Sequence, residues 1–328
     1  MPRLSRTLTV ISALSAGVLL LAGCSSSGAA PQESAGGPVA LAVGVTPIAN
    51  AAHVYIAEQQ GFFKDENLDV TATTIQTAAT AIPSLLNNEL QMALMTSVPI
   101  VTAASKGLPI RVVSGSDRYP LDPKHDTTAL VAAQDGGVAS LKDLAGKTVA
   151  VVGLKSAPEL ALRVLLKNSG VDPEQVKVVE IAYPDMVPAL QSNRVDAAFV
   201  VDPFLSKART AGLEVIGRPF TDGIGGMSAL EWVASDAFTK SNPDAVQRFT
   251  KAMKRAGEYA NEHPEAVRKV LPEFTSLSPD AVAKSVIPTY DTKLGVEDIQ
   301  AFADLMTKEG FINDGYDPAS LIWTPAGS

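Results

Sequence analysis

The sequence predicts an α/β protein of two similar lobes, and three observations carry that prediction. From Val39 onward short β-branched runs alternate with helical segments, the order that parallel α/β sheets produce. Glycines close the helical segments where a left-handed cap is wanted, at Gly61, Gly107, Gly170 and Gly212. A weak internal repeat relates 85–94 to 190–199: Asn88 and Asn193 each stand four residues before an apolar strand, and each strand runs into a polar residue and a proline. Any two helix-to-strand turns share this texture, so duplication and coincidence both stay open.

The first 23 residues read as an export signal. Arg3 and Arg6 precede an apolar stretch from about residue 8 to 21, which Thr9, Ser12 and Ser15 interrupt and which is too short for a spanning helix. Leu21-Ala22-Gly23-Cys24 resembles the bacterial lipobox, implying cleavage before Cys24 and a lipid anchor on its thiol. Cys24 is the only cysteine, which excludes an internal disulfide, a thiolate zinc cage and an iron–sulfur cluster. Residues 24–38, rich in Ser, Gly, Ala and Pro, cannot bury apolar area and form a flexible tether.

Strands are expected at 40–45, 69–75, 92–95, 110–114, 129–133, 148–152, 176–181, 197–201, 214–216 and 229–235. Helices fall at 51–60, 99–106, 157–168 and 204–211, then at 245–263, 264–271, 279–287 and 296–309. Ser241-Asn242-Pro243-Asp244 and Ser278-Pro279-Asp280 are helix starts rather than chemistry. The glycines of 221–227 open no helix after a strand in G-x-G-x-x-G spacing, so they mark a hinge or turn, not a dinucleotide site.

With 27 basic and 35 acidic residues the formal net charge is −8, and it becomes −10 once Arg3 and Arg6 leave with the signal, a poor nucleic-acid binder. Acidity does not by itself decide the ligand, because a pocket can be locally positive. Catalysis has little support. The histidines are His53, His125 and His263, and neither a Gly-x-Ser-x-Gly elbow nor a His-Glu-x-x-His pair occurs. Asp122-Pro123-Lys124-His125-Asp126 reads as a solvated connection rather than a metal site. The expectation is a binding protein without cofactor or metal.

The segment 55–70, Tyr-Ile-Ala-Glu-Gln-Gln-Gly-Phe-Phe-Lys-Asp-Glu-Asn-Leu-Asp-Val, resembles the signature of periplasmic binding proteins for sulfonates, taurine, nitrate and thiamine-precursor pyrimidines. Residues 141–151 and 188–203 are similar to later segments of the same family, in the same order. The resemblance implies a bilobal type II periplasmic-binding-protein fold, two α/β lobes joined by a two-strand hinge. Lobe one would be 39–127 with 222–328, and lobe two 128–221. It further implies a monomeric solute-binding lipoprotein on the extracytoplasmic face of a bacterial membrane. The protein would capture a small organic anion, a sulfonate or carboxylate, and deliver it to an ABC permease and its ATPase subunit. An aromatic carboxylate, a thiamine-type pyrimidine or a same-fold biosynthetic enzyme are the alternatives.

Ligands of open α/β sheets bind at the carboxyl ends of strands. The polar residues there are Asn50, His53, Thr77, Thr96, Ser97, Ser116, Arg118, Lys155, Ser156, Tyr183 and Asp202. Formal charge is sparse among them, so an anion would rest on backbone N–H groups at helix N-termini, foremost at Gly153-Leu154-Lys155-Ser156-Ala157. Each residue also has a structural role open to it. Ser156 suits an N-cap, His53 the core, Arg118 a pair with Asp117 or Asp122, Asp202 a helix start, and Trp232 the core rather than a cleft cover.

Overall fold

Two five-stranded sheets carry the chain, and both are mixed rather than wholly parallel. The computed structural model describes residues 37–75, 78–133, 136–202, 204–275 and 277–325. The export signal, the lipidation site Cys24 and the candidate Thr77 lie outside the described residues.

The first sheet contains β1 (Val39–Val45), β2 (Leu68–Thr74), β3 (Met92–Thr96) and β4 (Ile110–Arg118). The second contains β5 (Thr128–Ala133), β6 (Thr148–Val151), β7 (Lys177–Glu180), β8 (Ala197–Val201) and β9 (Leu213–Gly217). The chain then returns as β10 (Ser228–Ser235), giving the orders β2-β1-β3-β10-β4 and β7-β6-β8-β5-β9. β10 runs antiparallel to β3 and β4, and β5 antiparallel to β8 and β9, while β1 is parallel to β2 and β3, and β6 to β7 and β8. The parallel architecture read from the alternation is thus corrected at two strands. Both are entered directly after a crossing from the other sheet. The chain arrives where the parallel strands end, so the next strand must run away from that edge.

The helices follow in chain order: α1 (Ala52–Gln59), α2 (Phe62–Asp65), α3 (Ala78–Leu86), α4 (Ser97–Ser105), α5 (Ala157–Asn168), α6 (Tyr183–Gln191) and α7 (Phe204–Thr210). After β10 come α8 (Asp236–Ser241), α9 (Pro243–Glu262), α10 (Pro264–Phe274), α11 (Pro279–Lys284) and α12 (Val296–Lys308). α9 shows why such a polar sequence is helical: Ala245, Val246, Phe249, Ala252, Met253, Ala256 and Ala260 recur at three- and four-residue steps and are buried as one stripe. Ser235 caps α8 by accepting from the Phe238 N–H at 3.1 Å, and Ser278 caps α11 in the same way. Around β10 the core closes on Trp232, wholly buried with its ring 5.0 Å from Phe249 and edge-on to it.

The chain passes between the sheets over 119–127 and again over 218–227. These passages are tied to each other. Tyr119 N–H donates to Met227 O at 2.9 Å and Gly226 N–H to Tyr119 O at 2.8 Å. Asp126 accepts from the Thr128 N–H and hydroxyl and from the Thr221 hydroxyl, while the Arg218 guanidinium donates to Thr128 O at 2.7 Å. A Cβ at position 225 would come within 3.0 Å of the Pro120 carbonyl oxygen, so the close approach of the two passages requires Gly225. Among the described residues no helix is long and apolar enough to cross a membrane.

Candidate functional site

The carboxyl ends of β1, β3, β4, β6, β7 and β8 converge with the entry ends of β5 and β10 on a cavity of about 740 Å³. Its walls come from both sheets and from both passages between them. Leu94, Met95, Leu230, Phe220 and Val152 make much of the surface apolar.

Six of the sequence-predicted residues line it: Asn50, Thr96, Arg118, Lys155, Ser156 and Tyr183. His53, Ser97, Ser116 and Asp202 do not. Each is engaged elsewhere for a local physical reason. His53 is wholly buried on the core face of α1, its ring 4.9 Å from Tyr290 and 5.9 Å from Trp232. Trp232 Nε1–H donates to His53 Nε2 at 3.4 Å, and Ser116 Oγ stands at the same distance from that nitrogen. Burial pushes the imidazole down to about 3, so it is a neutral core side chain. The Ser97 hydroxyl donates to Glu231 Oε1 at 2.6 Å beneath the cavity floor. Asp202 Oδ1 accepts from the Ser206 N–H at 3.1 Å and hydroxyl at 2.8 Å, which closes the start of α7.

Arg118 lines the cavity but is committed. Its fork donates to Asp298 at 2.6 and 3.1 Å and its Nε to Asp291 at 3.0 Å, and these carboxylates raise its already high pKa. Its partners are therefore neither Asp117 nor Asp122, the pairings suggested by proximity in sequence. Lys155 is likewise turned aside. Its ammonium donates to Gly310 O at 3.0 Å and sits 4.4 Å from the centre of the Phe311 ring.

The loop opening α5, foremost among the anion candidates, has two of its donors occupied by the protein's own carboxylates. Lys155 N–H donates to Glu159 Oε2 at 2.6 Å and Leu154 N–H to Glu180 Oε2 at 3.2 Å. Ser156 Oγ donates to Gly153 O at 2.5 Å instead of capping the helix. Lys155 takes a positive φ of 53°, so the loop is held in a left-handed turn that a non-glycine residue adopts only under constraint.

Three further lining residues of consequence are Asp117, read from sequence only as a partner for Arg118, Tyr119, read only as one of several tyrosines that suit an aromatic ligand, and Glu180, which sequence reasoning missed. Asp117 is 1% exposed and accepts from Leu230 N–H at 3.1 Å and from the Asn50 side-chain amide. Burial pushes it up to about 7, reinforced by Glu231, which burial also pushes to about 7. The Tyr119 hydroxyl is buried without a hydrogen-bond partner among the described residues. β4 was expected to end at Ser114; it runs to Arg118 against β10, with register shifts opposite Leu230 and Glu231. An extended strand with alternating faces was the signal that would have separated Asp117 and Tyr119 from Ser116.

A family model described as NMT1/THI5 like matches residues 48–267. The taurine-binding periplasmic protein of Escherichia coli is 28% identical over 196 residues, which cover 58% of this chain and 57% of that protein. The formylaminopyrimidine-binding protein of Halalkalibacterium halodurans is 25% identical over 273 residues, covering 81% and 78%. Relatives named as enzymes also occur: the 4-amino-5-hydroxymethyl-2-methylpyrimidine phosphate synthase of Candida albicans is 23% identical over 239 residues, covering 69% and 67%. Among solved structures, the alkanesulfonate-binding protein SsuA of Xanthomonas axonopodis pv. citri superposes with a TM-score of 0.73 at 17% identity, covering 88% of this chain and 99% of that one. That likeness establishes the periplasmic-binding-protein fold.

Proposed function

The chain belongs to the NMT1/THI5-like family, and from that premise we propose that it is the extracytoplasmic solute receptor of an ABC importer. One observation carries the reading: the 740 Å³ cavity is walled by strand ends of both sheets, so a solute in it touches both. Lobe one (39–127 with 222–328) and lobe two (128–221) would close on the solute about the tied passages, and the closed form would be presented to the permease and its ATPase subunit. Lipidation at Cys24 would keep this monomer near the permease on the outer side of a bacterial membrane. Binding rather than catalysis is supported by the engagement of His53 in the core, away from the cavity.

A sulfonate or carboxylate solute is supported by what the taurine- and alkanesulfonate-binding relatives are named for. Such an anion would have to take Arg118 from Asp298 or displace Glu159 and Glu180 from the loop amides. A heteroaromatic solute is supported by Tyr119, Tyr183 and Phe220 at the cavity.

The test is native mass spectrometry of the purified full chain. A small-molecule adduct is expected, and the released compound should raise the melting temperature with its concentration. No adduct, together with no shift from any member of a panel of sulfonates, carboxylates, pyrimidines and amines, removes the receptor reading. Cys24→Ser should release the protein from the membrane with solute affinity unchanged.

A further inference from the structure

We propose that the solute is an organic cation, a protonated amine or amidine on an apolar body of about ring size; this rests on the receptor reading above. The inference comes from which charges at the cleft are already matched. Five carboxylates line the cavity: Asp117, Asp122, Asp126, Glu180 and Asp291. Among the described residues only Asp291 has an ion-pair partner, and that partner, Arg118, is shared with Asp298. Asp126 is satisfied by Thr128 and Thr221 as a tie between the passages. Asp117 and Glu180 accept only neutral donors, from Asn50, Leu230 N–H and Leu154 N–H, and face the same space from opposite sheets with no cation beside them among the described residues. Of the lining basic side chains, Arg118 and Lys155 are drawn away to Asp298 and to Gly310, and the third, His125, stands on the passage 119–127. An entering anion would meet uncompensated negative charge, and an entering cation would neutralise it.

Two independent observations point to a ligand rather than to a merely acidic surface. The Tyr119 hydroxyl, on a residue 4% exposed that lines the cavity, has no partner among the described residues and offers a ligand both a donor and an acceptor. Tyr119, Phe220 and Tyr183 also present aromatic surface to the same space, which stabilises a cation as well as an apolar body. A cavity of about 740 Å³ suits a molecule with such a body.

The test compares ligands that share a ring and differ in charge. Isothermal titration of the full chain at pH 8, above the value of about 7 to which burial pushes Asp117, would use benzylammonium and benzamidinium against benzenesulfonate and benzoate. The cations are expected to bind at least about tenfold more tightly than the anions. Glu180→Gln, on an exposed side chain, and Asp117→Asn should each weaken the cations about tenfold or more and leave the anions bound no more weakly than before. Because Glu180 is not part of the core, its variant decides the matter even if Asp117→Asn folds poorly. Tighter binding of benzenesulfonate or benzoate overturns the cation assignment and leaves the receptor reading standing. Binding of none of the four probes also overturns it, and the receptor reading is then judged separately by the co-purifying adduct. Cation binding indifferent to Glu180→Gln overturns the placement between the sheets.

Discussion

The floor of the cleft on the first sheet and its wall on the second solve the same problem in opposite ways. On the floor, polar groups are sunk into the core: Asp117 and Glu231 are 1% and 0% exposed, with Ser97, Asn50 and the Leu230 amide as partners and no cation. On the wall, Glu159 and Glu180 reach up from a helix and a strand end to the loop 153–156, exposed at Leu154 and Lys155. The floor keeps its charge pattern by burial, so protonation governs it. The wall keeps its pattern by hydrogen bonds at the edge of solvent, with Glu180 exposed and Glu159 buried, so it is softer and cheaper to change.

The largest effect that would break this contrast is in the core below the floor. Trp232→Ala should cost about 3–5 kcal/mol in urea denaturation, because the cavity left by the indole cannot collapse between β3 and β4 and His53 loses its donor. Leu154→Ala on the wall, at a residue 53% exposed, should stay within about 0.5 kcal/mol. Equal costs for the two would end the distinction.

Next in size is the contact that joins α5 to the end of α12. Glu309, its side chain 1% exposed, accepts from Lys167 at 2.7 Å and lies 3.6 Å from Arg163. Glu309→Ala takes the shared carboxylate from Lys167, which is partly exposed, and from Arg163, which keeps Glu174, and should destabilise by about 2 kcal/mol, read from the same denaturation curves.

The pH dependence separates floor from wall more sharply. Asp117 has a folded pKa near 7, above its unfolded value, so the folded state holds the extra proton. Its contribution is fully present below the unfolded carboxylate range and is lost as pH rises through about 7. Stability should therefore decline between pH 5 and pH 8 by on the order of 2 kcal/mol from this group, and Asp117→Asn should flatten that decline. His53 acts in the other direction, since its lowered pKa withdraws stability as pH falls below the unfolded imidazole value. A profile that Asp117→Asn does not alter would show that the floor carboxylate ionises freely.

The smallest effect is on the wall itself. Ser156→Ala removes the hydrogen bond to Gly153 O and should cost about 1 kcal/mol, visible as a modest fall in melting temperature.

Much of the fold could be read locally because each strand is a β-branched run bounded by turn residues: 197–201 and 157–168 match β8 and α5 residue for residue. Direction could not be read, since β5 and β10 alternate and bury like their parallel neighbours and differ only in where the chain comes from. At the site, Asn50, Thr96 and Tyr183 follow from their places after strands. His53 has the same address but faces inward, and one turn of helix does not reveal which face the core takes. Arg118 was ambiguous for a further reason. The carboxylate that claims it, Asp298, lies 180 residues away on α12. That the loop amide at 154 is already occupied was also beyond local reading, because Glu180 reaches Leu154 across 26 residues.

The central claim is that one solute bridges the two sheets, and a titration of the co-purifying solute against one substitution on each side tests it most directly. Asn50→Ala on the first sheet's side and Tyr183→Ala on the second's should each weaken binding about tenfold or more under conditions where circular dichroism shows both variants folded, Asn50→Ala with a lower unfolding midpoint because it also takes an amide partner from Asp117. Loss from only one of them, or from neither, would place the solute on a single lobe or outside the cavity and contradict the account.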